Sequence, residues 1–268
     1  MAQRKRVKRI LNVVPSRETE RDWAYKNAEE AGLLAAAPAR LPSSKDLRAS
    51  WWKIGDQKET GSCVGWATAD SVVRWHFVKA GWLGQNELLS PRFVWMASKE
   101  TDRFVSAPTT FIEEAGTSLK SALDVVRKFG VVLNDVLPFA SGKLFTGEEE
   151  TFYAMAAQLK ISSYFNLSLN GNRDLDDWRN WIATKGPIVT RLDVDRTWRD
   201  AKQTRGNLDT YRPATARGGH AVALVGYTPD RFIVRNSWGT TLWGDKGFAY
   251  ASLAYAQDAF TEAYGVSV

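Results

Sequence analysis

Two textures divide this sequence, and together they exclude an all-helical or an all-strand fold. From Ser62 a breaker-free run of small and apolar residues, SCVGWATADSVVRWHFVKAG, is long enough for a buried helix ending near Gly81, with Ser62 suited to its N-cap. The segment SLKSALDVVRKFG places Leu119, Ala122, Leu123, Val126 and Phe129 at amphipathic helical spacing, with Gly130 as the stop. Past residue 185 short apolar runs between turn signals take over: GPIVTRLDV, GGHAVALVGYT, RFIVRNSW and GFAYASL. These predict strands, the second and third joined by a tight hairpin at Pro229 and Asp230. The expected class is α+β, with a helical first half and a β-rich second half.

The N-terminal 40 residues read differently. MAQRKRVKRI holds Arg4, Lys5, Arg6, Lys8 and Arg9, so the formal net charge of +6 is concentrated there and the rest of the chain is nearly balanced. Such a basic tail is expected to be solvated, with an acidic protein, nucleic acid or an anionic membrane surface as the partners its charge would suit. RETERDWAYKNAEEAGL, residues 17–33, predicts a charged helix with an apolar stripe through Trp23, Ala24, Ala28 and Ala31, stopped near Gly32. AAAPARLPSSKD then reads as a linker, and the main domain is expected to run from Leu41 to Val268. The N-terminal piece is placed either on the body, as a short inhibitory segment, or on a partner.

A chain of 268 residues can bury one large core or two lobes that share one. Twelve Trp and eight Tyr argue against a largely disordered chain. The apolar piece ILNVV is too short for a signal-peptide core, and no run approaches the roughly 18 apolar residues of a membrane span. A cytoplasmic location is therefore expected, with non-classical export left open. One cysteine cannot form an internal disulfide, which suits a reducing compartment.

That cysteine, Cys63, falls in the first turn of the predicted helix. By itself a lone cysteine reads as a small buried hydrophobe. As a nucleophile it would need a neighbouring base, and there are two histidines to choose from. His76 lies in the same helix, about 20 Å along the axis at 1.5 Å per residue, and cannot reach. It is expected to be a packed or solvent-facing helix residue. His220 opens the strand after Gly218 and Gly219, and Asn236 ends the next one, so the hairpin brings the two together. An Asn carboxamide would fix the imidazole tautomer while the other nitrogen faces the thiol. Gln57 and the Cys63 backbone N–H are candidate donors to an oxyanion. The helix N-terminus favours thiolate, by about 0.3–1 kcal/mol if exposed and about 2 kcal/mol if partly buried.

With Gln57 six positions before Cys63 in GSC, then SALDVVRKFG, LPF, GPIV, GGHAVALVGY and VRNSWGTTLWGDKGF in that order, the chain resembles the papain-like cysteine peptidases from about Leu41 to its end. The resemblance implies a two-lobed fold: a helical lobe over about 41–150 carrying the cysteine helix, a β-barrel-like lobe over about 155–268 carrying His220 and Asn236, and a substrate cleft between them. It implies Cys63 as nucleophile, His220 as general base and acid, Asn236 as orienting residue and Gln57 as oxyanion donor. Trp238 would shield the Asn–His hydrogen bond, with Trp243 stacked nearby. Ala115, Gly116 and Gly219 would line the substrate backbone. No metal or cofactor is implied.

The chain departs from the family in three places. The aromatic that usually follows the cysteine is displaced to Trp66, the family's disulfides are absent, and the long prosegment is replaced by at most about 40 residues. The implied activity is an endopeptidase working through a Cys63 thioester. The alternatives are an acyl transferase or isopeptidase/amidase with the same residues, and a binding module on the same fold without turnover. The polar loop 195–217, with six Arg or Lys against three Asp, is expected to border the cleft near His220 and to suit acidic groups.

Overall fold

The computed structural model describes residues 8–34, 41–101, 116–171 and 173–268. At its centre lies a strand, Gly219–Tyr227, buried along its whole length. A strand reads as an unbroken apolar run when both faces of its sheet are covered, and HAVALVGY is such a run. Ala221, Ala223 and Val225 point into a core shared with the helices; Val222 and Leu224 point into a second core beneath Trp178 and Trp181.

Eight strands are described: β1 (Lys45–Asp46), β2 (Ser163–Asn166), β3 (Ile188–Asp193), β4 (Asn207–Leu208), β5 (Gly219–Tyr227), β6 (Arg231–Arg235), β7 (Phe248–Ser252) and β8 (Phe260–Ser267). Their order in one sheet is β2-β8-β3-β5-β6-β7-β4, with β1 added beside β5. All pairs are antiparallel except β4 with β7. The four strands expected past residue 185 are β3, β5, β6 and β7. The edge strand β2, the strand β8 and the short β1 and β4 lie outside those expected, β1 and β4 because two residues carry no period.

On one face of the sheet stand the helices Pro91–Thr101, Leu119–Lys128 and Glu149–Ala157 together with a central helix that carries Cys63. Leu119–Lys128 is capped by Ser118, whose hydroxyl accepts the Ser121 N–H at 3.2 Å. Its stripe buries Leu119, Ala122, Leu123 and Val126, while Phe129, counted in that stripe, is 43% exposed just past the last turn. Helix Leu175–Thr184 covers the opposite face with Trp178 and Trp181.

The central helix starts at Cys63, one residue past the expected cap, and runs to Lys79 in three parts: α-helical Cys63–Gly65, π-helical Trp66–Val73 and α-helical Arg74–Lys79. The π-helical middle was not foreseen. It carries Asp70, which is 4% exposed and sits between two buried arginines. Arg235 of β6 donates to its Oδ2 at 2.8 Å and Arg74 to its Oδ1 at 3.3 Å. Arg235 also reaches the Lys53 carbonyl at 2.6 Å, bonds Ser71 Oγ and lies over the Trp52 ring. The cluster ties the helix of Cys63 to the strand that leads into Asn236. Removing one partner of a buried charge group leaves the others uncompensated, typically at about 3–5 kcal/mol. Asp70→Ala is therefore expected to lower unfolding stability by about 3 kcal/mol or more; a shift below 1 kcal/mol in urea titration would contradict this account.

The expected helix at 17–33 is shorter, Tyr25–Glu30, preceded by a 3-10 turn at Thr19–Arg21. Ala28 and Leu34 are buried in the second core with Tyr25, whereas Trp23 is 59% exposed and rests on Phe165. Among the described residues the N-terminal part is thus two pieces. Residues 25–34 belong to the folded body, and residues 8–16 form an extended strap.

Candidate active site

Cys63 sits at the N-terminus of the central helix and is completely buried. Its cap residue Ser62 gives the helix no side-chain bond, because its hydroxyl is paired with Thr60 Oγ1 at 2.6 Å. The β5–β6 hairpin brings His220 and Asn236 together as expected from the sequence: His220 Nε2 lies 2.8 Å from Asn236 Oδ1. That oxygen also accepts the Ser237 N–H at 2.8 Å. An atom receiving two bonds of this kind is an acceptor, so Nε2 carries the hydrogen and Nδ1 keeps its lone pair. Nδ1 makes no hydrogen bond among the described residues. The Cys63 thiol is engaged instead by the backbone N–H groups of Ala221 and Val64. Nδ1 is the ring nitrogen left able to take a thiol proton.

Two indoles flank the imidazole, and a third lies against them. Trp238 lies 4.8 Å from the imidazole ring centre and Trp198 5.7 Å, and Trp243 stacks on Trp198 at 4.5 Å. Trp198 was not among the candidates, since it stands in the polar loop 195–217, where an aromatic has no period to report its burial. Asp195 folds that loop by accepting the Trp198 N–H, the Tyr255 hydroxyl and the Arg212 N–H, each at 2.9 Å. Arg196, Arg199 and Arg217 line a shallow pocket on its outer side.

Gln57 is buried, and its carbonyl oxygen is held by the Ser237 hydroxyl at 2.9 Å and the Trp238 indole N–H at 3.2 Å. One amide hydrogen goes to the Thr60 carbonyl at 2.9 Å, leaving the other for a further acceptor. His76 is packed within the helix lobe, against Trp75 and the backbone of Pro187, and takes no part in the site.

The strap runs through this site. Arg9 donates to Asp56 Oδ1 at 2.8 Å, the Lys58 carbonyl at 2.6 Å and the Trp238 carbonyl at 3.1 Å, with its guanidinium over the Trp238 ring. The basic tail expected to be solvated therefore has at least one of its charges inside the molecule, on the chain's own carboxylate. Val13 N–H donates to the Gly219 carbonyl at 3.2 Å and Val14 N–H to the Thr117 carbonyl at 3.3 Å. The strap backbone passes so close that a Cβ on Gly116 would stand 1.8 Å from the Asn12 carbonyl oxygen, and one on Gly219 2.1 Å from that of Val13. These two positions need glycine because another backbone lies on them. Ala115 lies outside the described residues.

Burial sets the protonation states. It pushes the Cys63 thiol up to about 11, although the Ala221 and Val64 N–H groups pull the other way. Desolvation thus outweighs the helix N-terminus, and the expected thiolate is a neutral thiol here. Burial likewise pushes His220 down to about 4, against its bond to Asn236 and helped by the charge of Arg9. His76 is lowered to about 4 by burial as well. Both histidines bind protons more weakly folded than unfolded, so their contribution to stability is complete above about pH 6.5 and is lost as the pH falls towards 4. A pH shift from 7 to 4.5 is expected to lower the urea midpoint, and less so in His76→Gln. An identical loss in His76→Gln would remove that histidine from the account.

The family model for papain family cysteine proteases matches residues 41–263. A search of curated proteins finds no match. Among solved structures, xylellain, a cysteine protease from Xylella fastidiosa, superposes with a TM-score of 0.76 at 21% identity, covering 100% of this chain and 99% of its own. ProCathepsin B S9 from Trypanosoma congolense gives 0.66 at 18%, covering 96% and 86%. The Carica candamarcensis cysteine protease CMS1MS2, solved in complex with E-64, gives 0.58 at 19%, covering 85% and 99%.

Proposed function

Since the chain belongs to the papain family of cysteine proteases, a family of hydrolases, we propose that it cleaves peptide bonds internally through a covalent Cys63 intermediate, and that residues 8–16 hold it inactive. The observation that carries this reading is the Asn236-bound imidazole, its Nδ1 without a partner among the described residues, one position along β5 from the Ala221 N–H that meets the thiol of Cys63, the sequence's single cysteine.

In this mechanism Nδ1 of His220 takes the thiol proton as Sγ attacks the substrate carbonyl. The charge that develops on the carbonyl oxygen is met by the Cys63 N–H and the spare Gln57 amide hydrogen, the latter aimed by Ser237 and Trp238. The imidazolium returns its proton to the leaving amine, a thioester remains, and water activated by His220 hydrolyses it. Asn236 and the indoles of Trp198 and Trp238 keep the ring in place through both proton transfers. Gly116 and Gly219 offer room for a substrate backbone where the strap backbone now lies. Among the described residues no helix is long and apolar enough to cross a membrane.

The test is intact mass after brief exposure to E-64, the compound bound in the Carica structure. Three proteins are compared: the full chain, a chain starting at Arg17, and the latter with Cys63→Ala. Starting at Arg17 rather than Leu41 keeps Tyr25, Ala28 and Leu34 in the core. Rapid labelling of the Arg17 chain, slow labelling of the full chain and none without Cys63 is the expected result. Equal and rapid labelling of both Cys63 forms would remove the inhibitory role of the strap. No labelling of a folded Arg17 chain would overturn the thiol-protease chemistry assigned to Cys63.

A further inference from the structure

The loop between β3 and β5 carries more positive charge than its own carboxylates neutralise. Over residues 195–217 it holds Arg196, Arg199, Lys202, Arg205, Arg212 and Arg217 against Asp195, Asp200 and Asp209. Each aspartate is already engaged. Asp195 is buried and accepts from the Trp198 and Arg212 N–H groups and the Tyr255 hydroxyl. Asp200 meets Arg196 at 3.3 Å, and Asp209 meets Arg231 of β6 at 2.7 Å. Among the described residues no ion pair engages Arg199, Lys202, Arg205, Arg212 or Arg217.

Two of these, Arg199 and Arg217, stand with Arg196 around one shallow pocket of about 550 Å³. Asp200 is the single carboxylate in its lining, so the pocket carries two positive charges. Its shape is set by backbone: the Arg196 N–H donates to Thr215 Oγ1 at 2.9 Å and the Arg217 N–H to the Val194 carbonyl at 3.0 Å, tying the two ends of the loop together. A concave surface of one sign draws anions. Bases of a single-stranded nucleic acid would look for rings to stack on, but this loop turns its aromatics inward: Trp198 is buried against His220, and half-buried Tyr211 leans on Tyr255. What it turns outward is guanidinium, whose fork matches a carboxylate two N–H groups at a time.

The same loop walls the catalytic histidine. Arg199 follows Trp198, and Arg217 stands three residues before His220. A wall one helix across is roughly 10 Å thick, which about five residues of extended chain, at roughly 3.3 Å each, would cross. We propose that this loop is an exosite for an acidic segment of the protein substrate, about five residues or more from the scissile bond, its carboxylates seated among Arg196, Arg199 and Arg217. The inference rests on the reading of the cleft as a peptide-cleaving one. Contacts made equally in the ground and transition states lower KM and leave kcat unchanged, so the exosite acts on capture.

The experiment uses the full chain with its strap loosened by Arg9→Ala and Val13→Pro. One cleavable peptide is extended on either flank by a Gly/Ser spacer and then a run of Glu, Gln or Lys. On one flank the Glu run should lower KM at least tenfold relative to Gln, with kcat within twofold. High salt, or Arg196→Glu with Arg217→Glu, should bring that gain below threefold. Lys26→Glu, a reversal at an 80% exposed side chain of another element, should keep it. The Glu-run peptide is also titrated calorimetrically into the same protein with Cys63→Ala, beside a single-stranded oligonucleotide of equal charge. Equal KM for Glu and Gln runs on both flanks overturns the proposal, a comparison that needs no charge-reversed variant to fold. So does a gain that survives in a folded Arg196→Glu, Arg217→Glu protein, and so does tighter binding of the oligonucleotide than of the Glu run. Binding of the Glu run that is lost on charge reversal, with no turnover of any peptide, would keep the acidic-segment site and overturn the hydrolytic reading; turnover indifferent to the runs would do the reverse.

Discussion

In the chain starting at Arg17, His220→Ala is expected to reduce peptide turnover by about 10⁴-fold or more, with the fold intact. Removing one member of a nucleophile–base pair typically costs about 10⁴–10⁶ in kcat, because the members act as a unit. His220 has no substitute in this molecule. The other histidine lies well down the same helix as Cys63 and is packed against Trp75 and Pro187. Gln57→Ala should cost less, about 10²–10³-fold, the usual loss for one oxyanion donor, since the Cys63 N–H would remain. Steady-state turnover of a fluorogenic peptide with matched melting curves measures both. A His220→Ala loss under tenfold would mean that another group removes the thiol proton and would displace His220 from its assigned role.

The second large effect concerns the strap. In the full chain, Arg9→Ala with Val13→Pro should raise the rate of Cys63 labelling by E-64 about 10²–10³-fold. Arg9 donates three hydrogen bonds, one to a carboxylate, and bonds of charged groups contribute about 1.5–3 kcal/mol each when well formed. Its carboxylate partner shows the coupling. Burial alone would raise the Asp56 carboxyl, yet Arg9 and the Lys58 N–H hold it below the ordinary range. Val13→Pro removes the N–H that meets the Gly219 carbonyl and leaves that carbonyl unpaired. Since Asp56 is partly exposed, at 30% of its side chain, salt should also speed labelling of the unsubstituted chain. A control at Lys26, whose side chain is 80% exposed, should leave the rate unchanged. Labelling as slow in the double variant as in the unsubstituted chain would show that residues 8–16 are not what bars the thiol.

Much of the framework was legible one residue at a time. HAVALVGY reads as a strand between turn signals, and the spacing of Leu119 to Val126 presents one apolar face as a helix. The hairpin at Pro229 and Asp230 put His220 and Asn236 at the same end of two paired strands, with a register shift between Leu224 and Gly226 on the way. Cys63 at a helix start followed from a breaker-free run with a small polar residue before it. Each of these depends on neighbours within about ten positions, over which the backbone's own periodicity does the placing.

What joins distant parts of the chain was hidden. Trp198 reaches His220 from a polar loop that Asp195 folds. Asp70 meets Arg235 across 165 positions, and nothing about an aspartate in a helix names its partner. The strap was visible as a basic stretch, but its course was not: Arg9 meets the carbonyl of Trp238, 229 positions away, and Ser16 meets Glu262. The same stretch that charge alone assigns to solvent is drawn into the cleft because Asp56, the Gly219 and Thr117 carbonyls and Glu262 converge there. The sequence by itself determined the main helices and strands and the order in which Gln57, Cys63, His220 and Asn236 stand along the chain. Only the tertiary structure decided that the thiol and imidazole are buried and neutral, because desolvation depends on which segments close over a group and not on the residues beside it in the chain.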